Sequence, residues 1–410
     1  MRFDRPVALL VAIACTTSVM AAENDNPVLV KDLNVEPRAN LTADDGTLRL
    51  HPKAMLGVGY NSNIFAEAQD EKDDFYVRGL AGLQADWRLN AHNSLALNGE
   101  FEGLQYSDDD NKDGNMVGGL LTADYRWNEA NNNAVVHAGY ARFDDPLIQT
   151  GEQILRQTID GSGMVDLRGA NLRTIIKASV TATDYLEDGS GFSEESRDST
   201  VYQVLGRLGL NTARDTYYYA LLGVDRWDYW DNVQYNDSNG ILAGLGTKLR
   251  MGDRATLLAE GGATYRIYEE DFGNNAAYDD KQVLAPYLNI QALWPWESGS
   301  SVGLNAFSRL DESLTANAAW VYGAVLDGRY RLLARSALFG SLGGYHSEDS
   351  GQGQGLANDS RDTLEAVAGV EHEITKGLVG RLRATYTDST ADVSNDFTRY
   401  IVAVDLAAAF

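Results

Sequence analysis

Cationic side chains recur within the alternating apolar runs of this 410-residue chain. Arg78, Arg88, Arg126, Arg173, Lys248, Arg250, Arg329, Arg331, Arg381 and Arg383 each have an apolar or small residue directly before or after them. Read at period two, they share one side with Asp86, Glu100, Glu102, Asp124, Asp166, Glu260, Glu371 and Asp405. A guanidinium is a planar fork that can hold a carboxylate through two parallel bonds. In such a pattern it can cross-link a wall to that wall's own acids, or it can hold an anionic ligand moving past. Tyr76, Tyr217, Tyr219 and Tyr287 fall on the same side. Their hydroxyls could offer weak, repeated contacts to a hydroxyl-rich ligand, and transit requires contacts weak enough to release.

Other chemistries find less support. The five histidines are His51, His92, His137, His346 and His372. An enzymatic site would need a nucleophile and an oriented base. Only His346, beside Ser347, Glu348 and Asp349, stands near an expected rim, so no catalytic residue is assigned and the chain is read as a non-enzyme. The single cysteine, Cys15, falls in the leader, which leaves no thiolate for catalysis or metal binding. No metal cluster, phosphate loop or cofactor motif appears, and no cofactor is expected. Gly57-Val58-Gly59 lies inside an alternating segment and signals close packing rather than a nucleotide. An isoelectric point near 4.5 argues against a nucleic-acid partner.

The elements that must position these side chains are strands. In Thr398–Phe410 one side reads Thr398, Tyr400, Val402, Val404, Leu406, Ala408 and Phe410, and the other Arg399, Ile401, Ala403, Asp405, Ala407 and Ala409. That is the alternation of a strand with lipid on one side and water on the other. The aromatic end, with Tyr400 and Phe410, matches the assembly signal of a terminal outer-membrane strand. The same alternation recurs along the chain and predicts an all-β transmembrane antiparallel barrel of about 18 strands, the first near 54–65 and the last near 398–410. Short connections such as Leu89–His92 and Ile374–Gly377 alternate with longer ones such as 186–197, 270–280 and 347–361. In outer-membrane barrels the short turns are periplasmic and the long loops external. Trp87, Trp127, Trp294 and Tyr330 then fall at inner ends, and Tyr60, Tyr140, Tyr265, Tyr322, Tyr386 and Tyr400 toward outer ones, as interfacial girdles do.

The N-terminus agrees with this. Arg2 and Arg5, an apolar run from Val7 to Ala14 and small residues through Ala22 form a secretory signal peptide over 1–22. A cut before Cys15 would truncate the apolar run. Residues 23–53 read as a periplasmic N-terminal segment and 54–410 as the barrel, placed in the outer membrane after cleavage and in contact with its lipid. Loss of Arg2, Asp4 and Arg5 with the leader changes the formal charge from −25 to −26. Much of that acidity falls in the longer loops, at Asp108–Asp110 with Asp113, at Glu194-Glu195 and at Glu270-Asp271. An acidic mouth over a basic lower lumen would draw an anionic substrate from below and oppose its return.

Gly59-Tyr60-Asn61-Ser62-Asn63-Ile64-Phe65, Glu71-Lys72-Asp73-Asp74-Phe75 and the hairpin through Trp87-Arg88-Leu89 and Leu95-Ala96-Leu97 resemble the putative β-barrel porin 2 family. The resemblance is specific over Met55–Asp113, and later strands match in pattern only. It implies an outer-membrane conduit for secreted exopolysaccharide, working with periplasmic polysaccharide-export components, and carries over no catalytic motif. A diffusion porin for small solutes and an adhesive or structural barrel are the alternatives at this point.

Overall fold

The structure, a computed structural model, describes residues 41–409 except 44–46, 67–70, 109–114, 130–131, 147–152, 189–197, 213–215, 231–236, 253, 270–281, 297–298, 312–317, 351–359 and 393–395. The residues read as a signal peptide, most of those read as an N-terminal segment, and Phe410 thus lie outside the described residues. A short β1, Leu41–Ala43, precedes β2, Leu48–Asn61. There follow β3 Asp74–Arg88, β4 Asn93–Tyr106, β5 Met116–Glu129, β6 Asn132–Pro146, β7 Gln153–Arg168 and β8 Leu172–Asp188. Next come β9 Ser199–Asn211, β10 Tyr217–Tyr229, β11 Ser238–Met251, β12 Ala255–Tyr268 and β13 Gln282–Pro295. The series ends with β14 Ser301–Asp311, β15 Ala318–Leu333, β16 Ser336–Ser350, β17 Ser360–Thr375, β18 Leu378–Ala391 and β19 Phe397–Ala409.

Each strand from β2 to β19 pairs antiparallel with its sequence neighbours, and β19 returns to β2 in register from Ile401↔Asn61 to Ala409↔Lys53. The sheet is therefore a closed 18-stranded barrel. Closure leaves no ladder edge open, which a lipid environment demands of any β-structure. β1 pairs Leu41–Ala43 with Leu48–Leu50 of β2, on the edge that β19 does not reach. The first barrel strand thus starts at Leu48 rather than near residue 54, and His51, read as preceding the barrel, is part of it.

The burial pattern is inverted relative to a soluble sandwich. Leu284 is 72 % exposed, Leu245 71 % and Phe75 66 %, while Arg78 is 1 % exposed and Glu260 and Asp405 2 % each. A face this apolar has lipid as its solvent. In β19 the exposed side chains are Tyr400, Val402, Val404 and Leu406, and the buried ones Arg399, Ile401, Ala403, Asp405 and Ala407, as the alternation predicts. Trp87, Trp294 and Tyr330 are exposed at the short-turn end, and Tyr140, Tyr322 and Tyr400 toward the long-loop end.

Local chemistry sets the turns. The Asn90 side chain accepts hydrogen bonds from the backbone N–H groups of His92 (2.8 Å) and Asn93 (2.9 Å), closing the β3–β4 connection. Gly377 takes a φ of 80° in the two-residue turn between β17 and β18, a region unfavourable to L side chains.

Candidate functional site: the lumen wall

Two polar clusters line the inside of the barrel, and inward glycines make both possible. The first sits where the barrel closes. One register row runs Arg78, Gly57, Asp405, Arg381, Glu371, Ala337 and Arg331 across β3, β2, β19, β18, β17, β16 and β15. Arg78 donates from Nε (3.0 Å) and Nη2 (2.5 Å) to the two oxygens of Asp405, reaching across β2 at Gly57. A Cβ at position 57 would stand 2.3 Å from Asp405 Oδ1. Further along, Glu371 receives Arg381 at 3.5 Å and is also paired with Arg329. One row nearer the long-loop end, the ring of Tyr76 covers Gly59 and meets Tyr106 edge-on at 5.8 Å.

The second cluster lies on the opposite wall, around β11. Glu260 is a four-bond hub. Its Oε1 accepts from Arg207 Nε (2.7 Å) and Tyr219 OH (2.7 Å), and its Oε2 from Tyr287 OH (3.0 Å) and Asn289 Nδ2 (3.0 Å). Tyr219 reaches Glu260 by lying over Gly246, where a Cβ would come within 2.4 Å of the ring. Tyr217 stacks on Tyr219 with ring centroids 4.6 Å apart and donates to the carbonyls of Arg173 and Arg207. Arg173 in turn holds Asp166 bidentately at 2.8 and 2.7 Å. A buried carboxylate with every lone pair occupied is stable only as part of such a network.

Between the clusters, His137 stands between two acids, with Nδ1 2.8 Å from Asp124 and Nε2 3.0 Å from Asp160. An imidazolium donates from both nitrogens and satisfies both carboxylates.

These contacts sort the residues expected to meet cargo. Arg78, Arg173, Arg329 and Arg381 are held by wall carboxylates, and Arg331 donates to the carbonyls of Leu333 and Ala334 at its own turn. Lys248, Arg250 and Arg383 are engaged as well. Of the four tyrosines read as cargo contacts, Tyr217, Tyr219 and Tyr287 direct their hydroxyls to the wall, and Tyr76 is buried against Tyr106. Arg88 and Arg126 differ. Arg88 is exposed at the short-turn end of β3, and Arg126 is half-buried on β5 with its Nε unsatisfied; neither has a side-chain partner among the described residues. Both pair with Ser94 of β4, so they lie on one row, two strands apart. Period-two alternation assigns the side of each cation, but nothing in it distinguishes the paired from the free. Tyr400 faces outward, and its ring lies 4.9 Å from that of Tyr386, tilted by 40°. Of the acidic loop residues, Asp109, Asp110, Asp113, Glu194, Glu195, Glu270 and Asp271 lie outside the described residues. Among the described residues no group of His, Cys, Asp or Glu is arranged to hold a metal.

Over residues 44–410 the chain matches the family model described as Putative beta-barrel porin 2. The chain belongs to this family. A search of curated proteins gives no match. Among solved structures, the barrel is similar to the outer-membrane protein OpdK of Pseudomonas aeruginosa, at 12 % identity over 88 % of this chain and 99 % of that one, with a TM-score of 0.51. It is also similar to OccK2 (OpdF) of the same organism, at 11 % identity over 88 % and 98 %, with a TM-score of 0.49. At 12 % identity the likeness to OpdK is one of fold. Family and fold together make the porin an outer-membrane barrel.

Proposed function

We propose that this porin is a passive channel for anionic cargo, and that the cargo is a secreted exopolysaccharide bearing carboxylates. The observation that carries the reading is the pair of guanidiniums without a side-chain partner among the described residues, Arg88 and Arg126, on one row in the short-turn half of the barrel. Most other lumen cations among those expected to meet cargo are neutralised in the wall or tied to its backbone. Short turns are periplasmic in barrels of this kind, so the free charge meets cargo arriving from inside the cell. Barrels of 16 to 18 strands are wide enough to hold an aqueous channel. The family resemblance carried by Gly59–Phe65 supports a polymer as the cargo.

A deletion strain tests this. Surface polysaccharide is expected to disappear while polymer synthesis continues, with export restored by the wild-type gene and poorly by Arg88→Glu with Arg126→Glu. Normal surface polysaccharide in the deletion strain overturns the reading. A diffusion porin for small anions is the second reading, favoured by the same pair, since a fixed positive charge selects by sign and not by length. Loss of small-carboxylate uptake with intact surface polymer would establish it instead.

A further inference from the structure

The chain that leaves β2 does not stand clear of the barrel mouth. Period two along β2 puts Leu56, Val58 and Tyr60 outward, and would put Ile64 outward with them. Leu56 and Val58 are 63 % and 54 % exposed, whereas Ile64 is 5 % exposed. Ile64 packs instead against Tyr76, Leu104, Tyr106 and Ile401, with Phe65 and Met116 beside it. Those four are inward residues of β3, β4 and β19, each set between exposed, outward neighbours or at the inward end of the alternation. The chain has therefore turned across the rim and entered the lumen.

Hydrogen bonds fix the turn. Ser62 extends the ladder to β19: its N–H donates to the Tyr400 carbonyl (2.9 Å), and its Oγ accepts from the Tyr400 N–H (2.8 Å). The buried Asn63 donates from Nδ2 to the Thr398 carbonyl (3.2 Å), and its N–H donates to Asn61 Oδ1 (3.1 Å). An asparagine side chain that captures the N–H two residues on bends the backbone, here just where the ladder stops. Asn61 Nδ2 also donates to Tyr106 OH at 2.9 Å. Ile64 N–H donates to the Lys72 carbonyl (2.9 Å), and Lys72 Nζ lies 5.2 Å over the Phe65 ring, so the returning limb is tied to the same turn. Ala66 is 2 % exposed and has a φ of 54°. A residue with a Cβ keeps that conformation where its surroundings impose it.

We propose that residues 63–66 are a fixed constriction at the long-loop mouth, seated by Ile64 and held by Asn63, which sets the size limit of the barrel given that it is a channel. A wall of 18 strands leaves an aqueous lumen, and backbone packed on the inside of that wall takes cross-section from it. The segment is held by apolar packing and by bonds to backbone and amide groups, so it selects by size. Arg88 and Arg126, at the other end of the barrel, select by sign. The mouth is thus a second filter, separate from the basic one.

Planar-bilayer recordings of the refolded porin with neutral polyethylene glycols of increasing mass test the constriction. Ile64→Ser weakens the apolar seat, and Asn63→Ala removes the bond to Thr398. Both should raise single-channel conductance and shift the exclusion limit to larger polymers, with the heat-modifiable folded band retained on a gel. A cross-link tests the position with the seat in place. Cys15 is the only cysteine of the sequence, so Ile64→Cys with Leu104→Cys in a Cys15→Ser background supplies a single pair of thiols. A short bis-methanethiosulfonate should join them in the folded protein, and the joined channel should keep the wild-type exclusion limit. Conductance and exclusion limit unchanged in Ile64→Ser and Asn63→Ala, or no cross-link in folded protein, overturns the constriction and leaves the channel standing. No conductance from wild type or any variant overturns both.

Discussion

Arg78 and Asp405, 327 residues apart in sequence, form a bidentate ion pair across Gly57 and tie the last strand to the second strand of the closed barrel. Both side chains are excluded from solvent, at 0 % and 1 % exposure. A buried pair of this kind is weak evidence for net stabilisation over an apolar substitute, but breaking it from one side strands a charge.

Asp405→Ala should therefore destabilise the barrel by about 3–5 kcal/mol, since the buried Arg78 loses its bidentate carboxylate. Replacing both residues, with Arg78→Met and Asp405→Leu, should cost less than the single change. Urea unfolding of the refolded protein, followed by tryptophan fluorescence in detergent micelles, gives both values. A double variant that loses the sum of its two single losses would show that the residues do not act as a pair.

Glu260 should behave as the centre of the opposite wall. Tyr219→Phe and Tyr287→Phe each remove one hydrogen bond to a carboxylate, a loss of about 1.5–3 kcal/mol. Glu260→Ala removes the acceptor of four donors and leaves Arg207 without its carboxylate, so it should exceed either tyrosine change. The same unfolding assay ranks them. Equal stability of Glu260→Ala and Tyr287→Phe would contradict the hub.

Much of this architecture was legible in the alternation, because a barrel wall forces one strict choice at each position: lipid or lumen. Phe75, Val77 and Leu83 outward, with Tyr76 and Arg78 inward, follow from period two alone. The first strand was placed too late because Leu48–Lys53, with His51, Pro52 and Lys53, breaks the apolar rhythm. Cross-strand geometry was not legible. That Arg78 meets Asp405 depends on the register of three strands and on a glycine in the middle one, and neither is visible in local sequence. Nor does period two show that register turns the hydroxyls of Tyr217, Tyr219 and Tyr287 onto the wall.

The glycines beneath aromatic rings should be intolerant of even one methyl group. A Cβ at Gly59 would fall 2.4 Å from the Tyr76 ring, and the ring is itself packed against Tyr106. Gly59→Ala should cost about 1–3 kcal/mol through overpacking. Tyr76→Leu in the same chain should recover part of that loss by vacating the space over position 59. The fraction of heat-modifiable folded protein after refolding reports both effects. Full folding of Gly59→Ala on its own would mean that the ring is free to swing away.

The free guanidiniums of Arg88 and Arg126 should set the channel's charge preference. In planar bilayers under a salt gradient, the wild-type reversal potential is expected to favour anions. Arg88→Gln with Arg126→Gln should shift it toward cations, since the remaining wall charge is largely paired. Screening supplies a second signature. The Debye length falls from about 10 Å at 0.1 M salt to about 3 Å at 1 M, so ions passing at a distance feel these charges only in dilute salt. The difference between wild type and the double variant should thus be large at 0.1 M and nearly absent at 1 M. A preference that survives 1 M salt would instead place the selecting group in direct contact with the permeating ion, at a constriction elsewhere in the lumen.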